Sequence, residues 1–201
     1  LVLSPLLNAV FGLSGMFALT AILAIGGIAV VLWWVPQEPA KHAQHMPASL
    51  GTSLVAVLRQ ASLVRLYFGV FMLHAVQLAM WVALPAMLVR AGLEKDHQWW
   101  VYLPAVLGSF FVMGATLFPL EKRGYLRAVF LGSVGLIGLV QVGLMVVISG
   151  VPTITGLALL LFVFFCGFNV LEASQPSMAS RFAPVHARGS ALGVYNSLQS
   201  L

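Results

Sequence analysis

Apolar residues fill five long stretches of the chain, at 16–35, 66–89, 98–118, 128–149 and 151–179. A helix crosses the roughly 30 Å hydrocarbon layer with about 20 apolar residues, so each stretch is long enough to span. Barrel strands would alternate in polarity over about ten residues. These runs do not alternate, and they are therefore predicted to be helices. The first four carry no charge and the fifth carries only Glu172. Trp99, Trp100 and Tyr102 open the third as an aromatic cluster of the kind that sits at a membrane interface. Residues 1–10 read as the tail of an earlier apolar helix that turns at 12–15, and 190–201 as the start of another. An internal fragment of a longer protein is expected.

The polar residues gather between the stretches. Segment 36–62 is the one real linker, with Pro36, Pro39, Pro47, Lys41, His42, His45 and Arg59. Leu50, Leu54, Val57 and Leu58 recur there at helical spacing, which predicts a surface helix. Composition sharpens the picture: 61% of the 201 residues are hydrophobic and 7% are charged. Soluble domains carry about 25% charged residues, so this chain cannot coat a water-facing surface. A soluble enzyme, a disordered tail and a disulfide scaffold are excluded. The single Cys166 cannot pair within the chain.

The net charge is +5, yet the basic residues are too scattered for nucleic acid and follow membrane topology instead. If the linker is cytoplasmic and the chain weaves, one side collects Lys41, Arg59, Arg65, Lys122, Arg123, Arg127, Arg181 and Arg188. The other side collects only Arg90 and Lys95. Eight against two is a positive-inside bias.

Residues 121–127 read Glu121-Lys122-Arg123-Gly124-Tyr125-Leu126-Arg127. This resembles the second half of the acidic-basic-x-Gly-x-x-basic loop signature of the major facilitator superfamily, which lies between helices two and three and is echoed between eight and nine. The family pattern has a glycine four residues before the acid, where this chain has Leu117. Gly167-Phe168-Asn169-Val170-Leu171-Glu172, then Pro176, Arg181, Arg188-Gly189 and Gly193-Val194-Tyr195-Asn196, looks like helices ten and eleven of bacterial drug- and sugar-efflux members. The resemblance implies an all-α membrane bundle. Residues 1–35 would end its N-terminal half, 36–62 would form the cytoplasmic linker, and 63–201 would hold helices seven to ten and the start of eleven.

Polar residues inside spans are the candidates for function. His74 and Gln77 are three apart, share a helix face and lie near the midplane, where transporter sites form. They line a solute or proton pathway, or they hold the bundle together by an interhelical hydrogen bond. Glu172 is reckoned about 31 Å along its helix from Val151, near the inner face. There it would latch to Arg181, Arg188 or the Lys122–Arg127 loop, with Asn169 adding a hydrogen bond, or it would carry a coupling proton. Glu121, Lys122, Gly124, Arg127, Arg181 and Arg188 complete the expected charge relay. Gly132, Gly135 and Gly138 suggest a close helix contact. Pro85, Pro104 and Pro176 suggest kinks.

His42 and His45 lack a third ligand, so no metal site is expected, and no cofactor either. HExxH, P-loop and GxSxG motifs do not occur. The resulting expectation is a secondary transporter in a bacterial-type inner membrane, working by alternating access, with proton-coupled efflux of a small molecule implied by the resemblance. Its partners would be solute, protons and lipid, without nucleic acid, acting as a monomer. A membrane-embedded enzyme and a non-transporting receptor or scaffold are the alternatives.

The charge bias makes a prediction of topology. Cysteines placed at Ser49 and at Asp96 label from opposite sides of the membrane with an impermeant thiol reagent. Labelling of both from one side defeats the span assignment.

Overall fold

The computed structural model describes residues 4–34 and 50–201. Pro36, Pro39, Lys41, His42, His45 and Pro47 of the expected linker lie outside the described residues. Among the described residues all regular structure is helical. The chain divides into two units, Leu1–Pro47 and Ala48–Leu201.

The first unit contributes α1, Ser4–Trp34. Its backbone leaves the helical region at Gly12, with φ 64° and ψ 178°. Only glycine adopts that conformation readily, because any Cβ would clash. From Val10 to Trp34 it is long and apolar enough to cross a membrane.

The second unit holds α2 (Leu50–Arg59), α3 (Ala61–Arg90), α4 (Trp99–Lys122), α5 (Leu126–Ser149), α6 (Ile154–Phe182) and α7 (Arg188–Gln199). Two of the connections end in the same device. After α3, the Leu93 amide donates to Leu88 O and the Gly92 amide to Val89 O. After α4, the Tyr125 amide donates to Leu120 O and the Gly124 amide to Glu121 O. Both glycines have positive φ, 92° and 82°. This is the left-handed C-terminal cap that satisfies a helix's last carbonyls, and it requires glycine on steric grounds. Gly124 of the loop motif therefore sets the angle at which the chain leaves α4. Thr153 caps α6, its hydroxyl accepting from the Gly156 amide at 3.2 Å.

α6 is the centre of the unit and packs against α3, α4, α5 and α7. Half of its most apolar window is buried, against 22–28% for the other three spans of the unit. Phe164, Phe165 and Phe168 are core side chains. Phe68, Val82, Phe111 and Met145 instead face outward, which is stable only where the surroundings are themselves apolar. At the end of α6, Ala179, Ala183, Ala187 and Ala191 recur every four residues and are almost wholly buried. They form a smooth ridge that lets α7 lie close to Val57 of α2 and to Leu63, Leu66 and Tyr67 of α3.

The close helix contacts fall elsewhere than on the expected glycine stripe. A Cβ built at Gly132, Gly135 or Gly138 meets nothing within 4 Å. One at Gly143 would lie 2.7 Å from Leu160, and one at Gly167 would lie 3.0 Å from the Ser133 backbone oxygen. The glycine triplet is on the open face of α5, and it is Gly143 and Gly167 that let α5 and α6 touch. The helices run through Pro85, Pro104, Pro119 and Pro176 without ending.

A comparison of two alanine variants tests this packing. Gly167→Ala should destabilise by about 1–3 kcal/mol, because the opposing atom is backbone and cannot yield. Gly138→Ala should be neutral or slightly stabilising. Thermal unfolding in detergent reads both; equal midpoints would contradict the assigned contact.

Candidate functional site

Three helices bring polar groups together at one depth. His74 lies 13 residues after the start of α3 and Glu172 lies ten before the end of α6. At 1.5 Å per residue these are about 20 Å and 15 Å from the basic end of the bundle. His74 Nε2 and Glu172 Oε2 are 3.2 Å apart. Glu172 Oε2 is shielded from solvent and has no aligned hydrogen-bond donor, so the contact is an ion-pair approach with poor hydrogen-bond alignment. The other ring nitrogen, Nδ1, lies 2.9 Å from Val70 O. A carbonyl can only accept, so Nδ1 carries a hydrogen and Nε2 faces the carboxylate. Phe168 stands edge-on to the imidazole at 5.8 Å. From α7, Gln199 Nε2 donates to Glu172 Oε1 at 2.5 Å. The side chains of His74 and Glu172 are 13% and 33% exposed, so the pair is only partly hydrated.

A cavity of about 630 Å³ opens beside this group. His74, Gln77, Phe71 and Trp81 of α3 line one wall, and Gln199 lines another. Asn169 turns to a different neighbour: its amide donates to Ser109 Oγ of α4 at 2.7 Å, and Ser109 Oγ donates to Val106 O at 2.6 Å. This chain of bonds fixes α6 against α4.

The basic end of the bundle carries a second set of contacts. Arg181 of α6 donates to Glu121 of α4 at 3.1 Å. Gln60 donates to Phe182 O at 2.8 Å and Tyr67 to Ala191 O at 3.0 Å. Lys122 is the last residue of α4 and Arg188 the first of α7. Arg127 lines a groove of about 870 Å³ with Arg65 and Arg181. The family model described as Major Facilitator Superfamily matches residues 1–201. The chain belongs to the major facilitator superfamily. The chain is 32% identical over 201 residues to the inner membrane transport protein YajR of Escherichia coli (strain K12), covering 100% of this chain and 44% of that relative. It is 27% identical over 199 residues to an uncharacterized transporter of Buchnera aphidicola, covering 98% of this chain and 50% of that one. The chain thus spans about half the length of the curated relatives it matches. As a major facilitator chain it is a multi-pass integral protein of the inner membrane, grouped with transporters and not with enzymes.

The expected partners of Glu172 are not the ones it meets. Its expected neighbours are Arg181, Arg188 and the loop after α4. α6 starts at Ile154 and continues through Pro176 to Phe182, ten residues past Glu172, so Arg181 in its last turn lies about 14 Å farther along the helix. Arg181, nine residues later on the same helix, takes Glu121 instead. Asn169 does not join Glu172 either, since its amide bonds Ser109. Sequence reasoning missed Ser109 and Gln199. Ser109 is an uncharged polar residue in a span, a signal already used for Gln77. Gln199 lies in the segment read only as a helix start, and nothing local marks it.

Charge reversal tests these positions. Glu172→Arg should impair the protein, and neither Arg181→Glu, Arg188→Glu nor Arg123→Glu should restore it, because none faces residue 172. By contrast Glu121→Arg with Arg181→Glu should preserve the pair that each single reversal breaks. That pair is exposed, so Glu121→Ala should cost under about 1 kcal/mol. Folded yield and thermal midpoint check both statements.

Proposed function

We propose that this chain is part of a secondary transporter that moves a small solute across the inner membrane by alternating access, with export driven by inward proton flow. The observation that carries the reading is the His74–Glu172 pair, 3.2 Å apart and joining α3 to α6 beside a cavity. Charged side chains well inside a membrane span are expensive and mark ion paths and substrate sites. A histidine opposed to a carboxylate can hold or release one proton near neutral pH. His74 and Gln77 then contact solute or proton, and Asn169 orients α6 within the same pathway. Export is implied by the likeness of the last two helices to drug- and sugar-efflux members. The naming of the Escherichia coli relative as a transport protein supports transport.

On the same reading Glu121 and Arg181 form a gate at the basic end. Lys122, Arg127 and Arg188 supply the surrounding charge, and Gly124 supplies the turn that aims the loop. Such a pair closes in one state and breaks in the other, as switching elements do.

Reconstituted full-length protein tests the proposal. Lipophilic amines and monosaccharides are added one at a time to vesicles carrying an internal pH dye. At least one should drive a pH change in wild-type vesicles, and His74→Ala and Glu172→Gln should each reduce it about tenfold or more while the protein stays folded. Solute movement without proton movement would refute the coupling. Unchanged flux in both variants would refute the site.

A further inference from the structure

The short helix α2 carries more apolar surface than its packing on the bundle uses. Ser53 and Val57, one turn apart, are buried. Val57 joins Leu63, Leu66 and Tyr67 of α3 and Ala191 and Tyr195 of α7 in one cluster. The adjoining face presents Leu54, Val55 and Leu58, which are 37%, 49% and 55% exposed. Thr52 and Arg59, seven residues apart and so on one side of the helix, form a third, polar face. A helix lying on a protein in water needs one apolar face, and α2 has two.

The depth of α2 follows from these contacts. The backbone turns at Gln60, which is extended, and Val57 comes to lie beside the first two turns of α3. α2 is therefore level with Arg65, the exposed charge at which the apolar run of α3 begins. A charge at the end of a span sits in the headgroup layer, its stem along the apolar surface. Helices with separate apolar and basic faces lie in that plane, their apolar side about 5–10 Å into the boundary with the acyl chains. Val64 and Phe68 of α3 are exposed at the same level, so the outer face of α2 continues the surface that the spans show to lipid. Arg59, Arg65, Lys122, Arg123 and Arg127 are all exposed at this end of the bundle. A protein partner would match the apolar face and leave those cations without counterions. Anionic lipid matches both.

We propose that α2 is an in-plane anchor on the membrane surface at the basic end of the bundle, and that its partner is anionic phospholipid. Leu54, Val55 and Leu58 enter the acyl boundary, Arg59 stands among the headgroups, and Val57 holds the bundle. The anchor also sets where α7 begins. Val57 shares its cluster with Ala191 of α7, and Tyr67 of α3 donates to Ala191 O at 3.0 Å. The entry of α7 is thereby tied to the plane of the membrane through α2. The inference depends neither on the solute nor on proton coupling.

Two measurements on the full-length protein in lipid nanodiscs test the anchor. In the first, native cysteines are replaced by alanine and nitroxide labels are attached at Leu54→Cys, Leu58→Cys and Thr52→Cys. Labels at 54 and 58 should collide with oxygen, which concentrates in acyl chains, more than with a water-soluble nickel chelate. The label at 52 should show the reverse. Labels at 54 and 58 that meet the chelate as freely as 52 place the face in water. Labels shielded from both reagents place it under protein, either another part of this polypeptide or a second copy. Each of these results overturns the proposal. The second measurement needs no substitution, so it stands if a labelled variant fails to fold. Amides of α2 should exchange with deuterium about fivefold more slowly when phosphatidylglycerol replaces phosphatidylcholine, the gain expected from one basic residue at an anionic surface. Equal exchange in the two lipids overturns the anionic partner.

Discussion

A carboxylate between apolar helices must be neutralised or hydrogen-bonded, and this requirement organises the second unit. Stripping a carboxylate of water costs several kcal/mol even after relaxation. Glu172 recovers part of that from the amide of Gln199, and the ring of His74 stands 3.2 Å from its other oxygen. The three residues stand on α6, α3 and α7. Helices far apart in the chain are thus held at a common depth by a demand that no one of them can meet alone. Removing one partner leaves the others poorly solvated, so the arrangement is more sensitive to substitution than an exposed pair such as Glu121–Arg181, whose arginine is 61% exposed.

That junction works only because α6 can be approached closely from several sides. In a bilayer, lipid tails are as apolar as leucine and no hydrophobic drive pulls helices together. Contact then depends on shape. Gly143 and Gly167 admit Leu160 and the backbone of α5, and the alanine ridge from Ala179 to Ala191 admits α2 and α3. Small residues sit where backbones converge, and large ones such as Phe111 and Met145 face outward. The polar tie between Asn169 and Ser109 adds orientation to a contact that packing alone would leave free to slide.

The spans were legible because length and hydropathy are properties of single segments. Stretches read at 66–89 and 128–149 become Ala61–Arg90 and Leu126–Ser149. The helices run past the apolar stretches because a helix does not end where the first charge appears: Arg65 and Arg127 lie inside the first turns of α3 and α5, and Arg90 ends α3. Pairings were less legible. His74 and Glu172 stood out singly, since each is rare in a span, but nothing in one dimension says that residues 98 positions apart meet. The glycine triplet misled for the opposite reason. Spacing of three defines a face of α5, yet the sequence does not say which face meets α6.

Pro176 gives the junction its mechanical character. A helical residue donates its amide to the carbonyl four residues earlier, and proline has no amide hydrogen to give. For Pro176 that carbonyl belongs to Glu172. The turn that bears the carboxylate therefore has one backbone bond fewer than its neighbours, and bending there costs less than elsewhere in α6. The helix is bonded to α4 before this turn by Asn169 and, more weakly, after it by the exposed Arg181 pair. Bending at this turn swings the face that meets His74 and Gln199. The residue that joins α3, α6 and α7 thus sits on the most compliant turn of the most central helix.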